Sequence, residues 1–260
     1  MSEARGPLDI ARLLEGSRVV VVGGTGFLGK VWLSLLLCKY PDIGKVLLVV
    51  RSKTGVDSEA RFWADIASSE PFAPLRAMHP GAAYEAFLRD KVEVLDADVS
   101  KPLCGLTNEQ IETYAGTIDA VVNVAGVVDF NPPLDEALLT NARGMEHLIE
   151  LARVLGDVPV LHTSTCYVAG YRSGRIPEVD PRELPFPRSD ELTDAQWDPA
   201  REIREGIDLV RSIKRHADDA HRIAKFEEEA RRNLERRQEP TTGQVFAAEV
   251  RKVRERYITD

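Results

Sequence analysis

The chain has 260 residues, of which 43% are hydrophobic and 29% charged, enough to build a sizeable core and too apolar for a disordered or fibrous protein. A formal net charge of −8 argues against nucleic acid as a partner, and three cysteines (Cys38, Cys104, Cys166) without paired spacing argue against a disulfide scaffold or a cysteine-rich zinc site. The opening MSEARGPLDIARLLEG lacks the apolar core of a signal peptide, and no apolar run approaches the roughly 20 residues of a membrane helix. A cytoplasmic location without a transmembrane segment is expected.

From the N-terminus, strands alternate with helices. Val19–Val22 is a β-branched run without polar alternation, the pattern of a strand buried on both faces. After Gly26, the residues Phe27, Leu28, Val31, Trp32, Leu35 and Leu36 recur at helical spacing. Val46–Val50 and Val92–Leu95 read as the second and third strands. Thr107 to Gln110 has the form of a capping box, and Asp119–Val122 starts a fourth strand. Asn131 is an expected helix cap, with Pro132 at the first helical position. Leu134, Leu138, Met145, Leu148, Ile149, Ala152 and Leu155 then share one helical face until Gly156. Pro159–His162 begins a fifth strand. Such alternation predicts an α/β fold, a Rossmann-type doubly wound parallel sheet with helices on both faces.

Pro177, Pro181, Pro185, Pro187 and Pro199 mark a loop-rich passage. Beyond it the chain becomes helical and charged. The first 200 residues carry 19 Lys and Arg against 29 Asp and Glu, and the last 60 carry 15 against 13. Helices are expected around Ile203–Ile213, from Asp218 to about Gln238, and after Pro240–Gly243. We expect a dinucleotide-binding domain over residues 1–176 and a proline-rich loop with a charged helical insertion over 177–260. Mixed-sign charge implies a solvated surface or a site of self-association rather than a membrane-surface helix.

The segment Gly23–Gly29, GGTGFLG, lies directly between the first strand and its helix. Its glycines permit a tight turn, approach of the backbone to a pyrophosphate, and close helix–strand packing. The following helix N-terminus presents free amides and a positive dipole to the phosphates. Gly23, Thr25, Gly26, Phe27, Leu28 and Gly29 are therefore candidate cofactor residues. An NAD site expects an acidic residue at the end of the second strand, where this chain has Arg51, Ser52 and Lys53. Arg51 suits a ribose 2′-phosphate, so NADP(H) is the expected cofactor, although two surface cations in a loop have the same sequence. Asp98 suits the adenine amino group, with Val99 beside the ring. Val124, Ala125 and Gly126 offer small residues near the nicotinamide end. Either set is also compatible with ordinary turn chemistry.

GGTGFLGKVWLSLLL, PDIGKVLLVVRSK, ARFWADI, KVEVLDADVSKPLCGL, VVNVAGVVDF, TNARGMEHLIELA and LHTSTCYVAG, within residues 18–176, together resemble the extended short-chain dehydrogenase/reductases. Within them the chain is similar to the fatty acyl-CoA reductase (male-sterility) group. One departure is Val22, where the group often has Thr. The resemblance implies that Thr165 is the catalytic hydroxyl, that Thr163 and Asn141 belong to the cofactor and active-site region, and that the substrate is an acyl-CoA or acyl-carrier-protein thioester. It also implies a Tyr followed four positions later by Lys, a pair that no tyrosine in these residues satisfies. We therefore expect an N-terminal fragment, catalytically silent alone, of an NADPH-dependent reductase forming aldehyde or alcohol. A carrier-protein thioester reductase, another extended-family enzyme, or a non-catalytic NADP-binding module are the alternatives. No metal site is expected: His216 and His221, five apart, do not share a helical face.

Overall fold

The computed structural model describes residues 9–129, 132–169, 173–178 and 198–259. Two compact units are present among them. The first holds the described residues up to Gly126 and from Gly144 to 178; the second holds 127–143 and 198–259. This division differs from a single boundary after residue 176, because 127–143 packs with the charged helices. Most of the proline-rich passage, Asn131 and Gly170 lie outside the described residues.

The first unit is built on a five-stranded, all-parallel sheet in the order β3-β2-β1-β4-β5. Its strands are β1 (Arg18–Val22), β2 (Lys45–Val50), β3 (Val92–Asp96), β4 (Ala120–Asn123) and β5 (Val160–His162). The short helices α1 (Ile10–Leu14), α3 (Ser58–Arg61), α4 (Ala73–Met78) and α5 (Ala82–Lys91) accompany the longer α2 (Phe27–Lys39). Alternate residues of β1 feed two separate cores, as a strand covered on both faces requires. Val19 and Val21 pack with Leu33, Leu37, Phe62, Ile66 and Phe72. Val20 and Val22 pack with Leu47, Tyr114, Leu148 and Leu151 from the opposite side. That second face is covered by α6 (Asn108–Tyr114) and α8 (Arg143–Val154).

The capping box expected at Thr107 is present in both halves, with the Thr107 hydroxyl accepting from the Gln110 amide and the Gln110 side chain accepting from the Thr107 amide. Two local expectations need correction. The buried residues of α2 are Gly29, Leu33, Ser34, Leu36 and Leu37, whereas Phe27, Leu28 and Leu35 are exposed. The helix after the fourth strand begins at Leu134 with Pro133 as its cap, so Pro132 precedes it.

In the second unit, α7 (Leu134–Ala137) precedes a wider turn, Leu138–Ala142. Three long helices follow: α9 (Pro199–Ala217), α10 (Ala220–Arg237) and α11 (Gly243–Thr259). Asp198 caps α9, and Gln238 ends α10 in a left-handed conformation. These helices form a small core from Ala217, Phe226, Ala230 and Val253. Glu249 is buried there, pinned by Asn233 at 3.1 Å and Arg237 at 2.7 Å. No described helix is long and apolar enough to cross a membrane.

Candidate cofactor and active site

The order of the strands reverses at β1, which has β2 on one side and β4 on the other. In doubly wound sheets the crevice beyond the C-terminal ends of such strands is where ligands bind. Here the loops leaving β1 and β4 lie directly against each other. The Val124 amide donates to the Val22 carbonyl at 2.9 Å, and a methyl group on Gly23 would stand 2.4 Å from the Ala125 nitrogen. Gly23 has φ +97°, a further reason for glycine.

The remaining turn separates glycines needed by the fold from one that leaves room. A Cβ on Gly29 would meet the Gly23 carbonyl oxygen at 2.2 Å, so Gly29 is required for the helix to enter over the turn. Gly26 has an unexceptional φ of −74°, and a Cβ there would meet only the Gly23 oxygen, at 3.5 Å. Gly26 is also the N-cap of α2 and supplies no side-chain cap to the helix amides. The turn thus presents amides in front of open space, which fits an anionic pyrophosphate. Phe27, 81% exposed, turns its ring outward and leaves only its backbone on the turn.

At the end of β2, Ser52 is tied to Asp96 by two hydrogen bonds, from its amide at 3.0 Å and its hydroxyl at 2.8 Å. Lys53 closes a tight turn with Val56 through reciprocal backbone bonds. The Arg51 side chain is 65% exposed, with Nη1 3.7 Å from Asp98 Oδ2. Asp98 also accepts from the Ser100 amide at 3.0 Å and the Ser100 hydroxyl at 2.8 Å. Burial pushes its pKa up, but the Ser100 bonds and the charges of Arg51 and Lys101 outweigh this, leaving it below the ordinary value. Arg51 and Asp98, read from sequence as separate contacts, therefore meet each other.

The loop after β3 is held by a residue that sequence reasoning missed. His147 on α8 is buried, and its Nδ1 lies 3.0 Å from the Val99 carbonyl, to which it donates. Cys104 closes the same loop, its carbonyl accepting from the Asp98 amide at 2.7 Å. Burial, and then the charge of Asp98, push its thiol to about 12, so it is an inert thiol.

Asn123, at the end of β4, was also missed. Its buried side chain accepts from the Ala125 amide at 2.9 Å and approaches His162 Nδ1 at 3.1 Å. It thereby shapes the Val124–Gly126 segment. Thr163 donates its amide to the Asn123 carbonyl at 2.9 Å, bringing the residues after β5 to the same end of the sheet. Thr165 is exposed and starts the short turn Cys166–Ala169, its hydroxyl oxygen accepting from the Tyr167 amide at 3.4 Å. Asn141 belongs to the second unit, where its carboxamide clamps the backbone of Val127 in both directions, at 2.8 and 3.0 Å. No cluster of potential metal ligands occurs among the described residues.

Comparison with known proteins places this fold in a family. A NAD-binding family model described as male sterility protein matches residues 21–241. The chain belongs to this family. The match includes most of the charged helical part, beyond the 18–176 stretch whose motifs carry the resemblance. Fatty acyl-CoA reductase 2, chloroplastic, of Arabidopsis thaliana is 29% identical over 226 residues, covering 86% of this chain and 35% of that protein. Fatty acyl-CoA reductase 1 of Gallus gallus is 31% identical over 183 residues, covering 68% of this chain and 34% of its own length. The chain thus spans about a third of the curated relatives it matches. Among solved structures, the terminal R domain from the myxalamid PKS-NRPS biosynthetic pathway aligns with a TM-score of 0.50 at 21% identity. That alignment covers 76% of this chain and 45% of the R domain, and supports the Rossmann-type fold. The family and the Rossmann-type fold support a nicotinamide cofactor.

Proposed function

We propose that these residues form the cofactor-binding part of an NADPH-dependent reductase of fatty acyl thioesters, acyl-CoA in the first instance. The observation that carries the choice of NADP(H) is Arg51, a mostly exposed guanidinium at the end of β2, where a carboxylate would serve NAD. Gly23–Gly29 would hold the pyrophosphate, Ser52 and Lys53 would flank the 2′-phosphate, and Asp98 with Val99 would receive the adenine. Val124, Ala125, Gly126 and Thr163 would border the nicotinamide end, and Asn141 would hold the chain just after Gly126 through Val127.

When bound, the reduced nicotinamide supplies a hydride to the thioester carbonyl carbon. Thr165 uses a lone pair on the Tyr167 amide, so its hydroxyl hydrogen remains to donate to the carbonyl oxygen. Such a donor stabilises the negative charge that develops there. Collapse expels the thiolate and leaves an aldehyde, which a second reduction would convert to an alcohol. The proton-transferring Tyr/Lys pair, lacking in these residues, would come from elsewhere in the whole protein. These residues alone are expected to bind cofactor without turnover.

Titration of the chain with NADP⁺ and NAD⁺ tests the reading. Tighter NADP⁺ binding is expected, and R51D should weaken NADP⁺ selectively. NAD⁺ binding equal to or tighter than NADP⁺ would overturn the role of Arg51. For the whole protein, NADPH oxidation across acyl-CoA chain lengths, with product identification, tests the substrate and separates acyl-CoA from carrier-protein thioesters. The same assay separates a reductase from a binding module without turnover.

A further inference from the structure

His147 is a polar residue in an apolar row. On α8 the buried positions are Gly144, His147, Leu148, Leu151 and Ala152, the row that faces the second core. Packing alone would place an aliphatic side chain at 147, and burying an imidazole costs free energy unless its polar atoms are bonded. At 7% exposure, its Nδ1–H reaches the Val99 carbonyl at 3.0 Å, 48 positions away in the chain.

That carbonyl is one end of the Val99–Ser100 peptide. At the other end the Ser100 amide donates to Asp98 Oδ1 at 3.0 Å, and the Ser100 hydroxyl donates to the same oxygen at 2.8 Å. A peptide unit is planar, so its carbonyl and its N–H turn together. Holding the carbonyl on α8 therefore sets how the amide meets the carboxylate, and with it the direction of Asp98 Oδ2, which Arg51 Nη1 approaches at 3.7 Å. The Val99 amide, one peptide earlier, makes no hydrogen bond among the described residues. An ionised acceptor and a free donor thus occur on consecutive residues.

We propose that His147 is a positioning residue for nucleobase selection, acting through the Val99–Ser100 peptide to aim the Asp98 carboxylate at an exocyclic amino group. The inference rests on the reading above that Asp98 and Val99 receive adenine, and adds the residue that sets how strictly the base is read. Adenine offers an amino donor beside a ring-nitrogen acceptor. Hypoxanthine reverses both, so a well-aimed carboxylate would face its carbonyl oxygen with no hydrogen between them.

The test titrates the 260-residue chain with NADP⁺ and its hypoxanthine analogue, in wild type, H147L and H147N. Leucine keeps the apolar bulk without the donor, and asparagine places an amide nitrogen where Nδ1 stands. Wild type is expected to favour NADP⁺ by about tenfold or more, the worth of one mispaired buried contact. H147L should cut that ratio by about threefold or more, and H147N should restore most of it. An unchanged ratio in H147L, whatever its thermal midpoint, would overturn the proposal, because a purely structural histidine affects both ligands alike. H147N behaving as H147L does would also overturn it. Failure of the underlying reading looks different, because wild type itself would then not distinguish the two bases.

The cofactor-free chain supplies an independent arm. Carbon-13 NMR of the Asp98 carboxyl should show its titration moved to higher pH in H147L and returned in H147N, since the Ser100 bonds that favour the carboxylate are loosened only in the former. An unmoved titration would refute control of Asp98 by His147. Should H147L not fold, H147M fills the same space with an adaptable, unbranched side chain and no donor. The same loss of discrimination is expected, and a wild-type ratio there would overturn the proposal.

Discussion

The Asn123 carboxamide fixes the tautomer of His162. The Ala125 amide donates to Asn123 Oδ1 at 2.9 Å, so Asn123 Nδ2 must be the atom facing His162 Nδ1, 3.1 Å away. An NH₂ group there requires a lone pair on Nδ1, which puts the imidazole proton on Nε2. The last residues of β4 and β5 are thus joined through side chains as well as through their parallel pairing.

Nitrogen-15 NMR of the imidazole is expected to show the Nε2–H form for His162. N123A should release that preference and leave the Ala125 amide without its acceptor. An orphaned buried donor costs about 1–3 kcal/mol. A fall of several degrees in thermal midpoint is therefore expected, together with weaker dinucleotide binding because the Ala125 segment is no longer held. An N123A chain with unchanged melting and binding would show that the backbone alone shapes this loop.

Gly26 and Gly29 predict opposite outcomes within four residues. G26S places a hydroxyl at an N-cap that has none, where serine is favoured. Its thermal midpoint should hold or rise, while dinucleotide binding falls at least tenfold because the side chain fills the open cradle and competes for the amides. G29A puts a methyl group 2.2 Å from the Gly23 carbonyl oxygen. It should destabilise the fold as well as abolish binding. Calorimetry and cofactor titration on both variants separate the two effects.

These contrasts mark what was legible in the sequence. The turn Gly23–Gly29 and the Thr107 capping box were readable because backbone sterics and amide satisfaction act within a few residues. The face of α2 was not. FLGKVWLSLLL is apolar nearly all round, so spacing alone could not say that Leu33 and Leu37 go inward while Phe27 goes out. Asn123 and His147 escaped for another reason. Asn123 reaches His162, and His147 reaches Val99, across 39 and 48 positions.

Asp98 ties the loop after β3 to acid stability. Its folded pKa lies below the ordinary value, because the Ser100 bonds and the nearby cations outweigh burial. A depressed carboxylate contributes stability above its unfolded pKa of about 4, and that contribution is lost as pH falls through the folded value. D98N should therefore melt a few degrees below wild type at pH 7, with the gap closing as pH falls below the ordinary carboxylate range. A gap unchanged over that fall in pH would assign the effect to altered hydrogen bonding instead of charge.

Tyr114 makes the converse prediction at alkaline pH. The phenol is buried beneath the sheet and donates to Glu93, and these two influences, burial first, push its pKa up to about 12. A phenolate there would face a carboxylate with little solvent between them. Since the folded pKa exceeds the unfolded value near 10, the native state retains a proton that the unfolded chain releases. The resulting stability is complete below pH 10 and declines between about pH 10 and pH 12. Y114F removes this titration along with the hydrogen bond. Its loss of stability relative to wild type should be largest near neutral pH and shrink on the alkaline side. Parallel pH–stability curves for the two chains across that window would show that the Tyr114–Glu93 contact does not govern the proton.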